Sequence, residues 1–392
     1  APASILTAMY ASVAIKNNIP INELRGTVQT DILKEYIAQK EWAYPPKNHM
    51  RIIRDMMEYC TKEMPKWNYV SISGYHIREA GSNAVQELAF TLANGFTYLE
   101  LGKQAGLKIE EFAPRLSFFF NSTMNFFEEI AKFRAARRIW ATVLKEKYGV
   151  EDNKALILRF HTQTSGASLT WQQPMNNIVR TAIEALAAVL GGTQSLHTNS
   201  YDEAWALPTE EAVKVALRTQ QIIAEETGVT STVDPLGGSY YLECLTNELE
   251  EGAYRYFDKI EEIGGVINAI EEGYLQKEIA ETAYRNQLQI EKEKEIIVGV
   301  NKYNETEEKP IKILKVDDKA QEIQIERLKK IKNERDNDKV KKTLANLRRT
   351  YENDEKNCMY DTLKAVQAYA TLQEIVDVGR EVFGEWKEPQ IF

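Results

Sequence analysis

Apolar and polar positions in the first half of the chain alternate between two rhythms. Short apolar runs of strand length are each followed by a longer stretch with helical spacing. Residues 26–30 precede a predicted helix over 31–39, and the run 69–76 precedes one over 79–98. Residues 116–121 lead into 124–148, 156–163 into 177–190, and 193–199 into 201–206 and 210–227. Strands that alternate with helices predict a parallel sheet, because parallel neighbours need a crossover long enough to hold a helix. About five such units are visible, whereas closing a parallel barrel takes eight. A barrel reading therefore expects further strands upstream. The apolar, uncapped helical start at residues 1–15 agrees with that and reads as a cut edge.

The texture changes near residue 208. Residues 234–239 form a turn-rich break, followed by long charged helices predicted over 242–263, 266–272 and 278–292. Residues 301–308 read as a polar loop. Residues 317–350 read as a solvated helix pair rich in opposite charges four apart, and 384–392 as an extended tail suited to docking on a partner. Two units result, an α/β unit over 1–207 and a mostly helical unit over 208–392.

At 392 residues and 43% hydrophobic the chain can bury a large core. A net charge of −9 argues against a sequence-independent nucleic-acid surface, while leaving room for a local basic spot that meets phosphates. Cys60, Cys244 and Cys358 are odd in number, far apart and without CxxC spacing, which supports neither a disulfide framework nor a zinc ribbon. No apolar run reaches membrane-span length and no signal peptide is recognisable, so a cytoplasmic enzyme is expected.

Candidate chemistry gathers where apolar runs stop. The run from Tyr69 ends at Gly74 and delivers Tyr75, His76 and Glu79 where a helix begins. Three of the four histidines, His76, His161 and His197, follow strand-like runs in this way; His49 does not. Histidine at such a point donates to a developing oxyanion or relays a proton near neutral pH. Glu79, three residues on, is placed to orient the ring; the alternative is a hydrogen-bonded core histidine. Gln163 and Asn199 are amides at two further strand ends. They suit neutral ligands such as sugars, amides or thioesters, or else close turns. Glu203 lies one helical turn beyond Asn199, and a surface carboxylate is its bland alternative. Arg115 and Ser117 share one face of a strand by alternation, and an arginine there needs an anion or a hydrogen-bonding partner. Met56, Met57, Met64 and the Phe118–Phe120 triplet read as packing. Two ligand chemistries fit: a metal centre, or a neutral cofactor with a thioester. The amides favour the second, and no HxH, HExxH or CxxC spacing supports the first.

These segments resemble a known family. The run Gly26-Thr27-Val28-Gln29-Thr30-Asp31-Ile32-Leu33-Lys34-Glu35, the segment 71–81 and the run Glu111-Phe112-Ala113-Pro114-Arg115-Leu116-Ser117-Phe118-Phe119 are similar to the large, substrate-binding subunit of adenosylcobalamin-dependent acyl-CoA mutases. So are 161–166, 176–182, 191–199 and 234–240, and the likeness runs from about residue 3 to 392. The resemblance to this methylmalonyl-CoA mutase family implies that 1–207 is the C-terminal part of a (β/α)8 TIM barrel, followed by the helical region 208–392. It implies an acyl-CoA threaded through the barrel and adenosylcobalamin over its C-terminal face, with the cofactor supplying radical chemistry. By motif, His76 is expected to donate to the thioester carbonyl and Tyr75 to lie between cofactor and substrate. Gln29 is expected near the acyl-thioester, Arg115 and Ser117 along the CoA arm, and His161 and Gln163 along the cavity. Asn199, Glu203 and Glu79 are assigned to the cofactor side. No Asp-x-His-x-x-Gly motif for cobalt ligation occurs, so a separate small cobalamin-binding subunit is expected, in a dimer of large/small pairs.

One departure bears on substrate. Methylmalonyl-CoA mutases carry an arginine for the substrate's free carboxylate where this chain has Gln39. A neutral amide cannot compensate a buried carboxylate as a bidentate guanidinium does. Isobutyryl-CoA or 2-hydroxyisobutyryl-CoA is therefore expected, with methylmalonyl-CoA as runner-up. From other classes, a metal-dependent barrel hydrolase and a non-catalytic partner subunit are the rivals.

Overall fold

A computed structural model describes residues 2–305, 311–317 and 319–390. The end of the predicted 301–308 loop and the last two residues of the predicted tail lie outside them. The described strands are β1 (Gly26–Thr27), β2 (Trp67–Asn68), β3 (Val70–Ser73), β4 (Leu116–Ser122), β5 (Phe160–Thr164) and β6 (Ser195–His197). β1 pairs with β2, and β3-β4-β5-β6 form a four-stranded sheet in sequence order; every pairing is parallel. Tyr69 alone separates β2 from β3, so the two sheets share one continuous stretch of chain. Each later crossover carries a helix: Ala84–Gln104, Phe126–Glu146 and Asn176–Leu190.

The register gives the sheet two unlike faces. Val70, Ile72, Leu116, Phe118, Phe120 and Phe160 are buried in the main core beneath those helices. Ser71, Ser117, Phe119, His161, Gln163, Ser195 and His197 alternate onto the other face, which is polar and only partly covered. Parallel sheets are ordinarily covered on both sides. A half-open, polar face is therefore the feature of this fold that needs a chemical explanation.

Several predicted elements begin or break elsewhere. The helix expected over 31–39 is a π-helical turn, Glu35–Gln39. Asp31 delays it: its Oδ1 accepts from the Leu33 and Lys34 amides (3.1 and 3.3 Å) and its Oδ2 from the Ser73 amide (2.8 Å). The helix expected over 79–98 is two helices, Tyr75–Glu79 and Ala84–Gln104. Gly81 breaks it at φ 103°, where an added Cβ would lie 2.5 Å from that of Ala283, and a capping box between Asn83 and Gln86 starts the second helix. The run before His161 is mostly not strand: Asp152 caps a helical turn, Asn153–Leu156, and β5 starts at Phe160. His161 thus lies inside a strand rather than after one.

The C-terminal half is helical, as expected. Of the 317–350 pair, Lys319–Glu334 buries nothing, but Asn337–Tyr351 buries Val340, Leu347 and Tyr351 in a second core with Ile375 and Tyr44. The tail folds back on its own chain: Trp386 meets Tyr36 edge-on at 6.1 Å, and its carbonyl accepts from the Trp42 indole at 3.2 Å. Met56, Met57 and Met64 are core. Among the described residues no helix is long and apolar enough to cross a membrane.

Beneath the sheet lies a buried ionic cluster. Lys132 donates to Glu87 Oε2 (2.6 Å), to the Asn121 carbonyl (2.9 Å) and to Glu129, all fully buried. Burial pushes the Glu87 carboxyl up to about 7 despite the adjacent ammonium. Lys132→Met should cost about 3–5 kcal/mol, since a carboxylate left unpaired in a core is the expensive state. The loss should grow as pH rises. Without the ammonium that lowers it, the buried Glu87 carboxyl is raised further than in the wild type, so the variant holds a proton that the unfolded chain releases above about 4.5 and loses stability more steeply as pH climbs. Urea midpoints at pH 5.5 and 8 test both parts; equal losses at the two pH values would contradict the second.

Candidate active site at the open face of the sheet

The short Tyr75–Glu79 helix sits at the C-terminal end of β3, held by the Gly74 amide donating to the Phe119 carbonyl at 2.8 Å. His76 is half-buried, and its Nδ1 lies 2.7 Å from Ser73 Oγ. Glu79 does not orient the ring, as the sequence suggested. Its Oε1 accepts from Asn121 Nδ2 and Ser165 Oγ, both at 2.7 Å, and its Oε2 from the Ala167 amide at 2.8 Å. One helical turn separates His76 from Glu79, and the strand ends claim the carboxylate first. Burial, aided by the nearby Lys34 ammonium, holds the imidazole down to about 3. The ring is therefore neutral at physiological pH, and its Nε2 makes no hydrogen bond to any described residue.

Around it the polar face assembles in register. Tyr75 stacks on Phe119 (centroids 5.0 Å, interplanar 9°), and the tilted His161 ring lies 5.0 Å from Phe119. Phe119 thus leaves the core triplet; Phe118 and Phe120 stay in it. Gln163 Nε2 donates to both Tyr75 OH and Asn199 Oδ1 at 2.9 Å, and Asn199 Nδ2 donates to the Thr164 carbonyl at 2.8 Å. His161 Nδ1 lies 2.8 Å from Ser195 Oγ. Burial lowers the pKa of His161 and His197 and raises that of Tyr75, the last also through the Glu79 charge. The result is an array of neutral donors and acceptors.

The remaining candidates lie around this array. Glu203 is beyond the C-terminal end of β6, with burial raising its carboxyl and no described residue bonding it. Arg115 sits at the opposite, N-terminal end of β4, in the turn Ala113–Arg115, and its guanidinium makes no hydrogen bond or ion pair to a described residue. Ser117 faces the same way and donates to the Val70 carbonyl at 3.4 Å. Gln29 opens onto a cavity of about 320 Å³ that Glu35, Trp42, His49 and Arg380 also line. Gln39 ends the turn that packs against the His76 helix. Sequence reasoning missed Ser73, Phe119, Asn121 and Lys34. Asn121 was recoverable, because it continues the alternation of Ser117 and Phe119 on β4. Lys34 was not, since nothing in its neighbours marks it as only 2% exposed.

Among the described residues no three histidine, cysteine, aspartate or glutamate side chains cluster as a metal site. The sequence profile of the methylmalonyl-CoA mutase family matches residues 1–385. The chain is 48% identical over 389 residues to the 2-hydroxyisobutanoyl-CoA mutase large subunit of Aquincola tertiaricarbonis, covering 99% of this chain and 69% of that one. It is 49% identical over 373 residues to human mitochondrial methylmalonyl-CoA mutase, covering 95% of this chain and 50% of that one. With the methylmalonyl-CoA mutase of Rhizobium meliloti it shares 47% over 382 residues, covering 97% and 54%. The chain thus spans between about half and two thirds of the length of these relatives, and it belongs to the methylmalonyl-CoA mutase family.

Proposed function

We propose that the chain is the substrate-binding part of an adenosylcobalamin-dependent acyl-CoA mutase that rearranges a short branched acyl-CoA without a free carboxylate, 2-hydroxyisobutyryl-CoA or isobutyryl-CoA. The observation that supports this reading is the polarity of the open face along β4. An arginine without a partner among the described residues stands at the N-terminal end and neutral donors stand at the C-terminal end. Arg115 and Phe119 are four residues apart, about 13 Å at about 3.3 Å per residue. An anionic CoA head at Arg115 and a neutral thioester near His76 match that spacing, with Ser117 between, His161 level with Phe119 and Gln163 one step further toward the strand ends. Strands β1–β6 are read as the C-terminal part of a (β/α)8 barrel over 1–207, and 208–392 as the helical region that follows it.

Adenosylcobalamin, when bound, would supply the radical chemistry of the rearrangement. The chain's own residues fit a neighbour of that kind at the strand ends. The Glu203 carboxylate has no partner among the described residues and suits ribose hydroxyls. Glu79 and Asn199 are already bonded inside the protein and shape the floor on which the ligand rests. Neutral His76 donates to the thioester carbonyl without bringing a charge, and the Tyr75–Phe119 stack shields the reacting carbons from water. Gln163 fixes the Tyr75 hydroxyl. The words "large subunit" in the name of the Aquincola relative imply a small partner, which in this reading would bring the cobalamin and complete the site.

The reading is tested by combining full-length large subunit, small subunit and adenosylcobalamin, and following the isomerisation of an acyl-CoA panel by mass spectrometry. Loss of all turnover when either addition is omitted is the expected result. Tight, stoichiometric adenosylcobalamin binding by the 392-residue chain alone would refute the proposed division of labour. A zinc-dependent hydrolase, the rival from another class, predicts hydrolysed thioester instead of isomer.

A further inference from the structure

Lys34 is a buried cation whose charge helps keep His76 neutral but whose own side-chain contacts nothing above uses. At 2% exposure its ammonium needs partners, because an unpaired charge in a core is strongly disfavoured. It has two on its own turn: Glu35 Oε1 at 2.6 Å, and Gln39 Oε1. The second is unusual in sequence terms. Residues five apart on an α-helix lie about 140° from each other at 3.6 residues per turn. The wider turn Glu35–Gln39 removes that divergence, and the Lys40 amide donating to the Glu35 carbonyl at 2.7 Å closes it. Wide turns of this kind recur at functional sites. The turn packs against the helix bearing Tyr75 and His76, so what Gln39 presents is presented beside the reacting face.

An ammonium group has three donors and no acceptor, whereas an amide has one end of each kind. Contact with Lys34 therefore settles which way the Gln39 amide is turned. Its oxygen is taken, and its NH2 makes no hydrogen bond to any described residue. We propose that Lys34 is a positioning residue: by holding the carbonyl end of Gln39 it makes that side chain a pure hydrogen-bond donor toward the acyl group. The inference rests on the reading that Gln39 borders the acyl group of a CoA ester. A donor there rewards an acyl group bearing an oxygen acceptor, such as a 2-hydroxyl, and does nothing for a methyl in the same place. Without Lys34 the amide turns freely and the reward falls.

The test uses the reconstituted full-length enzyme and the ratio of kcat/KM for 2-hydroxyisobutyryl-CoA to that for isobutyryl-CoA. Lys34→Met should lower the ratio about three- to tenfold, the scale of one neutral hydrogen bond. Gln39→Leu, at an exposed position, should lower it similarly, and the double variant should be no lower than Gln39→Leu alone. Should Lys34→Met fail to fold, Lys34→Gln keeps a polar group at the buried position while removing the charge, and a smaller shift in the same direction is expected. Calorimetric affinities of the two esters for the cofactor-free complex should move in parallel with the ratio. An unchanged ratio in either folded Lys34 variant, equal losses for both esters, or additive effects in the double variant would overturn the assignment. A wild type that isomerises neither ester overturns the functional reading itself, a result distinct from an insensitive ratio in an active enzyme.

Discussion

His76→Ala in the assembled enzyme should lower turnover by about 10²–10⁴-fold, while the affinity for the CoA ester changes far less. The reasoning starts from burial. The ring sits at the end of β3 with its Nδ1 against Ser73 and its Nε2 without a partner among the described residues, and its pKa is held down to about 3. A donor that is already neutral and already oriented stabilises charge as it develops on a carbonyl oxygen, and it costs no reorganisation at that moment. Such an interaction is stronger in the transition state than in the ground state, so its loss appears in kcat. A loss confined to KM would make His76 a ground-state binding residue instead. The depressed pKa adds a second expectation. A group titrating near 3 carries no proton change between pH 5.5 and 8, so the wild-type pH–rate profile should show no histidine step there from His76. A step near 6.5 that vanishes in His76→Asn would show that the imidazole is charged in the working enzyme.

The second large effect concerns substrate choice. Wild-type enzyme should prefer 2-hydroxyisobutyryl-CoA or isobutyryl-CoA to methylmalonyl-CoA by a factor approaching 10⁴, the scale reached when a buried polar group is left without its counterpart. A size difference of one methylene gives only about 10–200-fold. Gln39 carries no charge, and its carbonyl is already bonded to Lys34. The Lys34 ammonium already meets Glu35 Oε1 and Gln39 Oε1, so two of its three donors are taken before a substrate carboxylate arrives. Gln39→Arg should damage turnover of the preferred ester, because a guanidinium would stand unpaired beside that ammonium. It need not create a methylmalonyl-CoA mutase, since other pocket residues also shape the site. Measuring kcat/KM for the three esters decides the question. If methylmalonyl-CoA proves the best substrate, the inference from Gln39 is wrong.

Much of this protein was legible before folding. Strand–helix alternation is a local property of side-chain spacing, and it located the parallel units and the charged helices of the second half. Residue types at strand ends pointed to neutral-ligand chemistry, because the amides and histidines themselves limit what can bind. The motifs around Tyr75, His76 and Arg115 were long enough to mark the family. Boundaries were less legible. Asp31 and Gly81 each reshape a helix through contacts with residues distant in sequence, Ser73 and Ala283.

The sequence by itself determined the order of elements, the histidines and amides available at the strand ends and the absence of an arginine at position 39, since these depend only on which residues are present and how they are spaced. Tertiary structure alone decided how those groups are used. It gave His76 to Ser73 and Glu79 to Asn121 and Ser165. It moved Phe119 out of the core to stack on Tyr75, and it turned Trp386 inward against Tyr36. A hydrogen bond or an aromatic stack is settled by competition among every donor, acceptor and ring that packing brings within reach. For Lys34 and Gln39 that competition turned on a single widened turn of the backbone, whose geometry follows from the contacts at both of its ends.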